Sequence, residues 1–375
     1  MNIIIFFLLF NCYLNNKIKD IITENNNLTN SQNKTYPIFK SNRRKINKKN
    51  AILGIIQNYS LIIILPFFKS LIRANLTNCD VIMFVRHVSQ DLITYLKDIK
   101  VFVFKIPKKY RKVSVINLRW KMYLDFLRKR KEEYNLVFSV DIRDTIFQKD
   151  IFKYYENFSE PFLGVSIEDG TLNEKINKNW LINFIGEEIH KVIQNNRIIC
   201  VGSIWGTLDK FLEFSIIFWE NLISNTHAVE QGIGNYLFYY KKIFQDCLIK
   251  SDNYGPVMTI GLTERNNIIL DNQDNILNFG GEIAAVIHQY DKKCDILIKI
   301  YKKFCPEALK FFKSMKDKLD KPNIIIYRCF EIINKFNKTN RLNSIIYIKN
   351  YYKNIISLLI YIQIFIIVFQ LKKRN

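Results

Sequence analysis

Residues 141–144 read Asp-Ile-Arg-Asp and follow directly on an apolar run, Leu136-Val-Phe-Ser-Val140. Two carboxylates leaving a buried strand together suffer repulsion and desolvation unless a cation compensates them. A hard divalent ion, Mn²⁺ or Mg²⁺, meets that need and can in turn hold a diphosphate. Arg143, between the two acids, is placed to contact phosphate itself. The same residues also fit a plain loop in which Asp144 caps a turn and Asp141 pairs with Arg143. Far downstream, His288 follows the short apolar run Ala285-Val-Ile. Its imidazole would supply a third metal ligand beside Asp141 and Asp144; alone it reads as a hydrogen-bonded core or edge histidine, and it gains weight only jointly with the two acids. Gly202 and Ser203, with Gly206-Thr207, lie in a strand-to-helix passage where small residues let a ligand approach the backbone. An ordinary turn would use the same residues.

Positioning these groups requires elements that deliver them to one place. Strand-like apolar runs fall at 51–56, 81–85, 101–104, 134–140, 162–167 and 198–205. Helical spacing falls between them, at 61–74, 90–97, 117–131, 209–224 and 230–241. Strands alternating with helices predict an α/β fold, a mostly parallel sheet flanked by helices. Ligands bind such sheets beyond the carboxyl ends of the strands, which is where Asp141 falls.

The chain of 375 residues is 49% hydrophobic and 14% aromatic, which excludes a wholly disordered protein. Its 56 Lys and Arg exceed 34 Asp and Glu, for a net charge of +22. An excess of that size invites nucleic acid or an anionic surface. The bases are scattered through apolar segments, however, and no nucleic-acid module signature accompanies them, so no nucleic-acid partner is expected. Seven cysteines contain no CxxC pair, against a zinc ribbon or thioredoxin-type site.

Both termini suggest a membrane. Residues 1–14 form an apolar block the length of a signal-peptide core or anchor, and 15–50 read as a polar linker. A domain over 51–305 and a basic stem over 306–353 follow. Residues 355–371 carry no charge and as a helix would span about 25 Å, giving a transmembrane helix over 354–371. A buried closing helix is the alternative. The tail 372–375, Lys-Lys-Arg-Asn, resembles a dilysine retrieval signal. Together these predict an endoplasmic reticulum or Golgi membrane protein with its main domain in the lumen.

Several segments in order resemble one family. The stretch Phe138-Ser-Val-Asp-Ile-Arg-Asp-Thr-Ile-Phe-Gln-Lys-Asp150 is similar to the "strand, D-x-R-D, F-Q-x-D" segment of a eukaryotic group of GT-A fold glycosyltransferases, within the nucleotide-diphospho-sugar transferases. Arg119-Trp120 with Tyr123 precede it; Asn179-Trp180, Ile199-Cys-Val-Gly-Ser203, Glu230-Gln231-Gly232, Gly255-Pro256-Val257 and His288-Gln289-Tyr290-Asp291 follow. The resemblance covers roughly 51–291. It implies transfer of a sugar from a nucleotide-sugar donor to a protein, lipid or glycan acceptor. Asp141, Asp144 and His288 would hold Mn²⁺ or Mg²⁺; Arg143, Gly202 and Ser203 would contact the donor; Glu230 would serve as acceptor base or sugar-orienting group. Two departures stand out: the acids are spaced DxxD rather than DxD, and Glu230 replaces the Asp usual before Gln-Gly. A catalytically inactive lumenal binding protein of the same fold is the alternative they raise.

Overall fold

A computed structural model describes residues 48–224, 229–309 and Cys329. The expected leader, stem, terminal helix and tail lie almost wholly outside these residues. Among the described residues no helix is long and apolar enough to cross a membrane.

The chain opens with β1 (Lys49–Gln57), α1 (Leu61–Ala74), β2 (Cys79–Arg86), α2 (Gln90–Asp98) and β3 (Phe102–Lys105). Next come α3 (Val115–Arg128), β4 (Tyr134–Val140), β5 (Thr145–Phe147), β6 (Leu163–Thr171), α4 (Lys175–Ile193) and β7 (Arg197–Thr207). Helix α5 (Leu208–Ile223) and α6 (Glu230–Asn235) follow, α6 passing into a π-turn at Tyr236–Tyr240. The remainder holds β8 (Leu248–Ser251), β9 (Val257–Thr259), β10 (Ile269–Leu270), β11 (Ile276–Leu277), β12 (Val286–His288) and α7 (Cys294–Phe304).

Seven strands form the central sheet in the order β3-β2-β1-β4-β7-β6-β8. The pairings β2/β3, β1/β2, β1/β4 and β6/β8 are parallel, whereas β7 runs antiparallel to β4 and β6. The expected mostly parallel α/β sheet is therefore present, with one reversed strand at its centre. Successive strand residues feed opposite faces. Ile52, Ile56, Met83 and Val85 pack with α1 and α2, while Ala51, Leu53, Ile82 and Phe84 pack with α3 and α5. Helices thus cover both faces, and both clusters are buried.

Pro66 lies inside α1 and has no N–H to offer the carbonyl of Ile62. The hydroxyl of Tyr301, on α7, donates to that carbonyl at 3.2 Å. A second sheet, in the order β5-β12-β9, sits at the carboxyl end of β4, with β12 antiparallel to β5 and parallel to β9. Residues 141–144 are the short link between the two sheets. Cys294 at the start of α7 is joined to Cys329 by a disulfide. Cys79, Cys200, Cys247 and Cys305 are free thiols.

Candidate functional site

Because β1, β2, β3 and β4 are mutually parallel, Gln57, Arg86, Lys105 and Asp141 come to one edge of the sheet. Strand β4 stops at Val140, and the backbone N–H of Asp141 donates to Gly202 O on the reversed strand β7 at 2.9 Å. The chain bends, Thr145 starts β5, and His288 on β12 pairs in register with Thr145. The sheet pairing therefore brings His288 back to the two acids.

His288 is 1% exposed, and its Nε2 stands 3.6 Å from Asp141 Oδ2 and 3.6 Å from Asp144 Oδ1. That Nε2 is buried with no hydrogen-bond partner. On the other side of the ring, Nδ1 lies 3.4 Å from Cys200 Sγ. One ligand atom from each of Asp141, Asp144 and His288 falls within 4.8 Å of the others. A six-coordinate ion with bonds of about 2.1 Å sets neighbouring donors about 3 Å apart and opposite ones about 4.2 Å apart. Two acids, one orphaned imidazole nitrogen and this spacing suit a hard divalent ion. Burial works against the imidazolium, yet Cys200, Asp141 and Asp144 raise the His288 pKa well above its ordinary value. The ring would exchange that proton for a metal ion.

No protein-family model matches the chain, and no curated protein sequence matches it. Solved structures do resemble it in shape. One is the galactosyltransferase LgtC with donor and acceptor sugar analogs, at 13% identity and a TM-score of 0.43, over 69% of this chain and 95% of that one. Another is the bifunctional glycosyltransferase WbbM, at 13% identity and a TM-score of 0.45, over 74% of this chain and 52% of that one. A third is the glycosyltransferase GlyE of Streptococcus pneumoniae TIGR4, at 14% identity and a TM-score of 0.41, over 64% and 54%. The chain spans about half of WbbM and of GlyE. At such values the chemistry rests on the site's own residues.

Asp141, with 43% of its side chain exposed, faces a pocket of about 220 Å³ whose lining includes Gln57, Tyr59, Ile116, Arg119 and Arg143. Burial opposes ionisation of Asp141, but Arg119 and His288 outweigh it and hold the carboxyl well below the ordinary range. Burial pushes Asp144 up, against the pull of His288 and Arg143. Arg143 donates to Asp144 at 2.9 Å and stands 3.1 Å from Asp291, and its carbonyl accepts from Tyr290. The loop pairing expected as an alternative thus occurs with Asp144 rather than with Asp141.

Glu230 opens α6 and is 6% exposed. Its carboxylate takes both Nε and Nη2 of Arg119, and Trp120 Nε1–H donates to it at 2.8 Å. The carboxylate expected to act as a base is therefore already occupied, although the residue does border the pocket. Gly202 stands against the cluster itself. A Cβ there would lie 2.5 Å from His288 Cε1 and 2.7 Å from Asp141 Oδ2, so only glycine lets these side chains close up. Ser203 is fully buried, and its Oγ lies 2.6 Å from Ser166 Oγ in a hydroxyl chain that continues to Thr259. It is not among the pocket's lining residues.

Sequence reasoning missed the central role of Arg119. This 2% exposed guanidinium bonds to both Asp141 and Glu230, tying α3 and α6 to the end of β4. Its signal was the Arg119-Trp120 pair, noted in the resemblance without a role. Gln57 and Tyr59 were missed as well; their only signal is position, just past the end of β1.

Proposed function

We propose that the protein is a GT-A type glycosyltransferase that moves a sugar from a nucleotide-sugar donor to a protein, lipid or glycan acceptor. The observation that carries this reading is the buried, unpartnered Nε2 of His288, equidistant from two carboxylates at the mouth of a pocket that also holds arginines. Asp141, Asp144 and His288 would hold Mn²⁺ or Mg²⁺, which offsets charge developing on a leaving nucleoside diphosphate. Arg143 sits among the acids as a guanidinium suited to phosphate. Arg119 fixes the Asp141 carboxylate, and Gly202 leaves the room in which Asp141 and His288 meet. The proposed setting is the lumenal side of an endoplasmic reticulum or Golgi membrane. The apolar run 355–371 and the Cys294–Cys329 disulfide, a bond of oxidising compartments, support it.

The occupied carboxylate of Glu230 favours a second reading, a lumenal protein of this fold that binds nucleotide or glycan without turnover. One experiment separates the two. The protein is offered a panel of nucleotide sugars with and without Mn²⁺, beside Asp144→Asn. Metal-dependent turnover, reduced at least 100-fold in the variant, is the expected result. Binding of nucleoside diphosphate without turnover selects the second reading. Folded protein that neither binds nor turns over any donor sinks both.

A further inference from the structure

A second concavity, of about 350 Å³, opens at the ends of β2 and β3 on the edge of the sheet that carries Asp141. Its apolar lining includes Val85 and Ile106, and Arg86, Lys105, Lys108 and Arg111 surround it; no acid lines it. The cations come largely from one segment. Five of the eight residues from 105 to 112 are Lys or Arg, and none is acidic. Among the described residues, Lys105, Lys108 and Arg111 have no ion-pair partner. Like charges crowded on a flexible loop would move apart, but this loop is tied down. Arg86 Nη1 donates to Tyr110 O and Val113 O, both at 2.9 Å, and Ile106 N donates to Val85 O at 3.0 Å. A fixed hollow with uncompensated positive charge concentrates field on whatever anion enters it. The hollow also adjoins the first pocket: Arg86, which lines it, donates through Nε to Gln57 Oε1 at 2.7 Å, and Gln57 lines the pocket at Asp141.

We infer that this hollow binds the phosphate ester of a soluble phosphorylated sugar, the anionic end of the acceptor, held one residue's width from the donor pocket. The role as acceptor rests on the glycosyltransferase reading; the binding of phosphate does not. Arg111, Lys108 and Lys105 receive the phosphate oxygens through charge-assisted hydrogen bonds.

The test uses the full chain in the presence of a chelator, so that no metal at Asp141 can recruit phosphate. Glucose 6-phosphate is titrated calorimetrically beside glucose, into the wild type, into Lys105→Ala/Lys108→Ala/Arg111→Ala, and into Asp144→Asn. The three cations are exposed, so the triple variant keeps its fold, as an unchanged melting temperature will verify. Saturable binding of the phosphate alone, at least tenfold weaker in the triple variant and unchanged in Asp144→Asn, supports the inference. Absence of saturable binding, or equal binding by the triple variant, overturns it. So does sedimentation with phosphatidylserine vesicles by a protein that ignores glucose 6-phosphate, since the cations would then serve a bilayer surface. Loss of nucleotide-sugar turnover with phosphate binding intact would refute the glycosyltransferase reading alone, and the reverse pattern would refute the hollow alone.

Discussion

Glu230 and Asp141 share one guanidinium. Arg119 is deep enough that burial alone would disfavour its charge, yet the two acids keep it cationic. Burial presses harder on Glu230, lifting its carboxyl from the ordinary 4.5 to about 7 despite Arg119 and the Trp120 N–H. A group raised in the folded state contributes stability that is complete below its unfolded value and is lost as pH rises through the folded one. The window here runs from about 4.5 to about 7. Glu230→Gln, which cannot ionise, should therefore lose less stability than the wild type between pH 5 and pH 8. Urea midpoints at the two values will measure this; equal losses would mean that ionisation of Glu230 carries no such penalty. At this scale the two acids stood out because they leave a buried run together, and His288 gained weight only beside them and through the resemblance. Arg119 was not legible. Within a helical pattern an arginine reads as solvent-facing, and only Glu230, far along the chain, gives it a reason to be buried.

Among the elements, α1 depends on a partner from the far end of the domain. The carbonyl of Ile62, denied a donor by Pro66, is met by the Tyr301 hydroxyl, which is also 3.3 Å from Ile63 O. Tyr301→Phe leaves the ring packed and removes the donor, so it should destabilise by about 1–3 kcal/mol. Chemical denaturation will show this as a lowered midpoint at constant slope. A variant as stable as the wild type would mean that the carbonyl finds another donor. Strands β1 to β4 were legible because their residues are apolar on both faces, as a doubly covered sheet demands. Of the small sheet only the short apolar run at β12 was legible, since β5 and β9 are each three residues long and too short to establish a period. Helix α4 went unread because its apolar face is weak and Gly186 interrupts its helical backbone. In contrast, α7 had a clear apolar face, with Ile296, Leu297, Ile300, Tyr301 and Phe304 buried. No helix is expected there in the sequence analysis above, although this face repeats at helical spacing.

On the scale of the molecule, the Cys294–Cys329 disulfide closes a segment with a sequence separation of 35. Restricting the unfolded chain by a loop of this length stabilises the fold by about 4 kcal/mol on the chain-entropy model. Reductant, or Cys294→Ser, should lower the melting temperature, and an unchanged value under both treatments would remove the bond from the stability of this domain. No spacing rule selects this pair from seven cysteines, so only the fold reveals it. The parallel half of the sheet could be anticipated from the order of elements. The reversal of β7 could not, because a strand's direction is set by how its connections cross the sheet.

The pairing of β12 with β5 also sets a timetable. The chain emerges from the ribosome N-terminus first, at about 5–20 residues per second. Asp141 and Asp144 thus appear on the order of ten seconds or more before His288. During that interval β5 is an unpaired edge, and His288 does not yet exist. The cluster can therefore assemble only after nearly the whole domain has been synthesised, and a premature stop between β5 and β12 yields a chain with both acids and no histidine beside them.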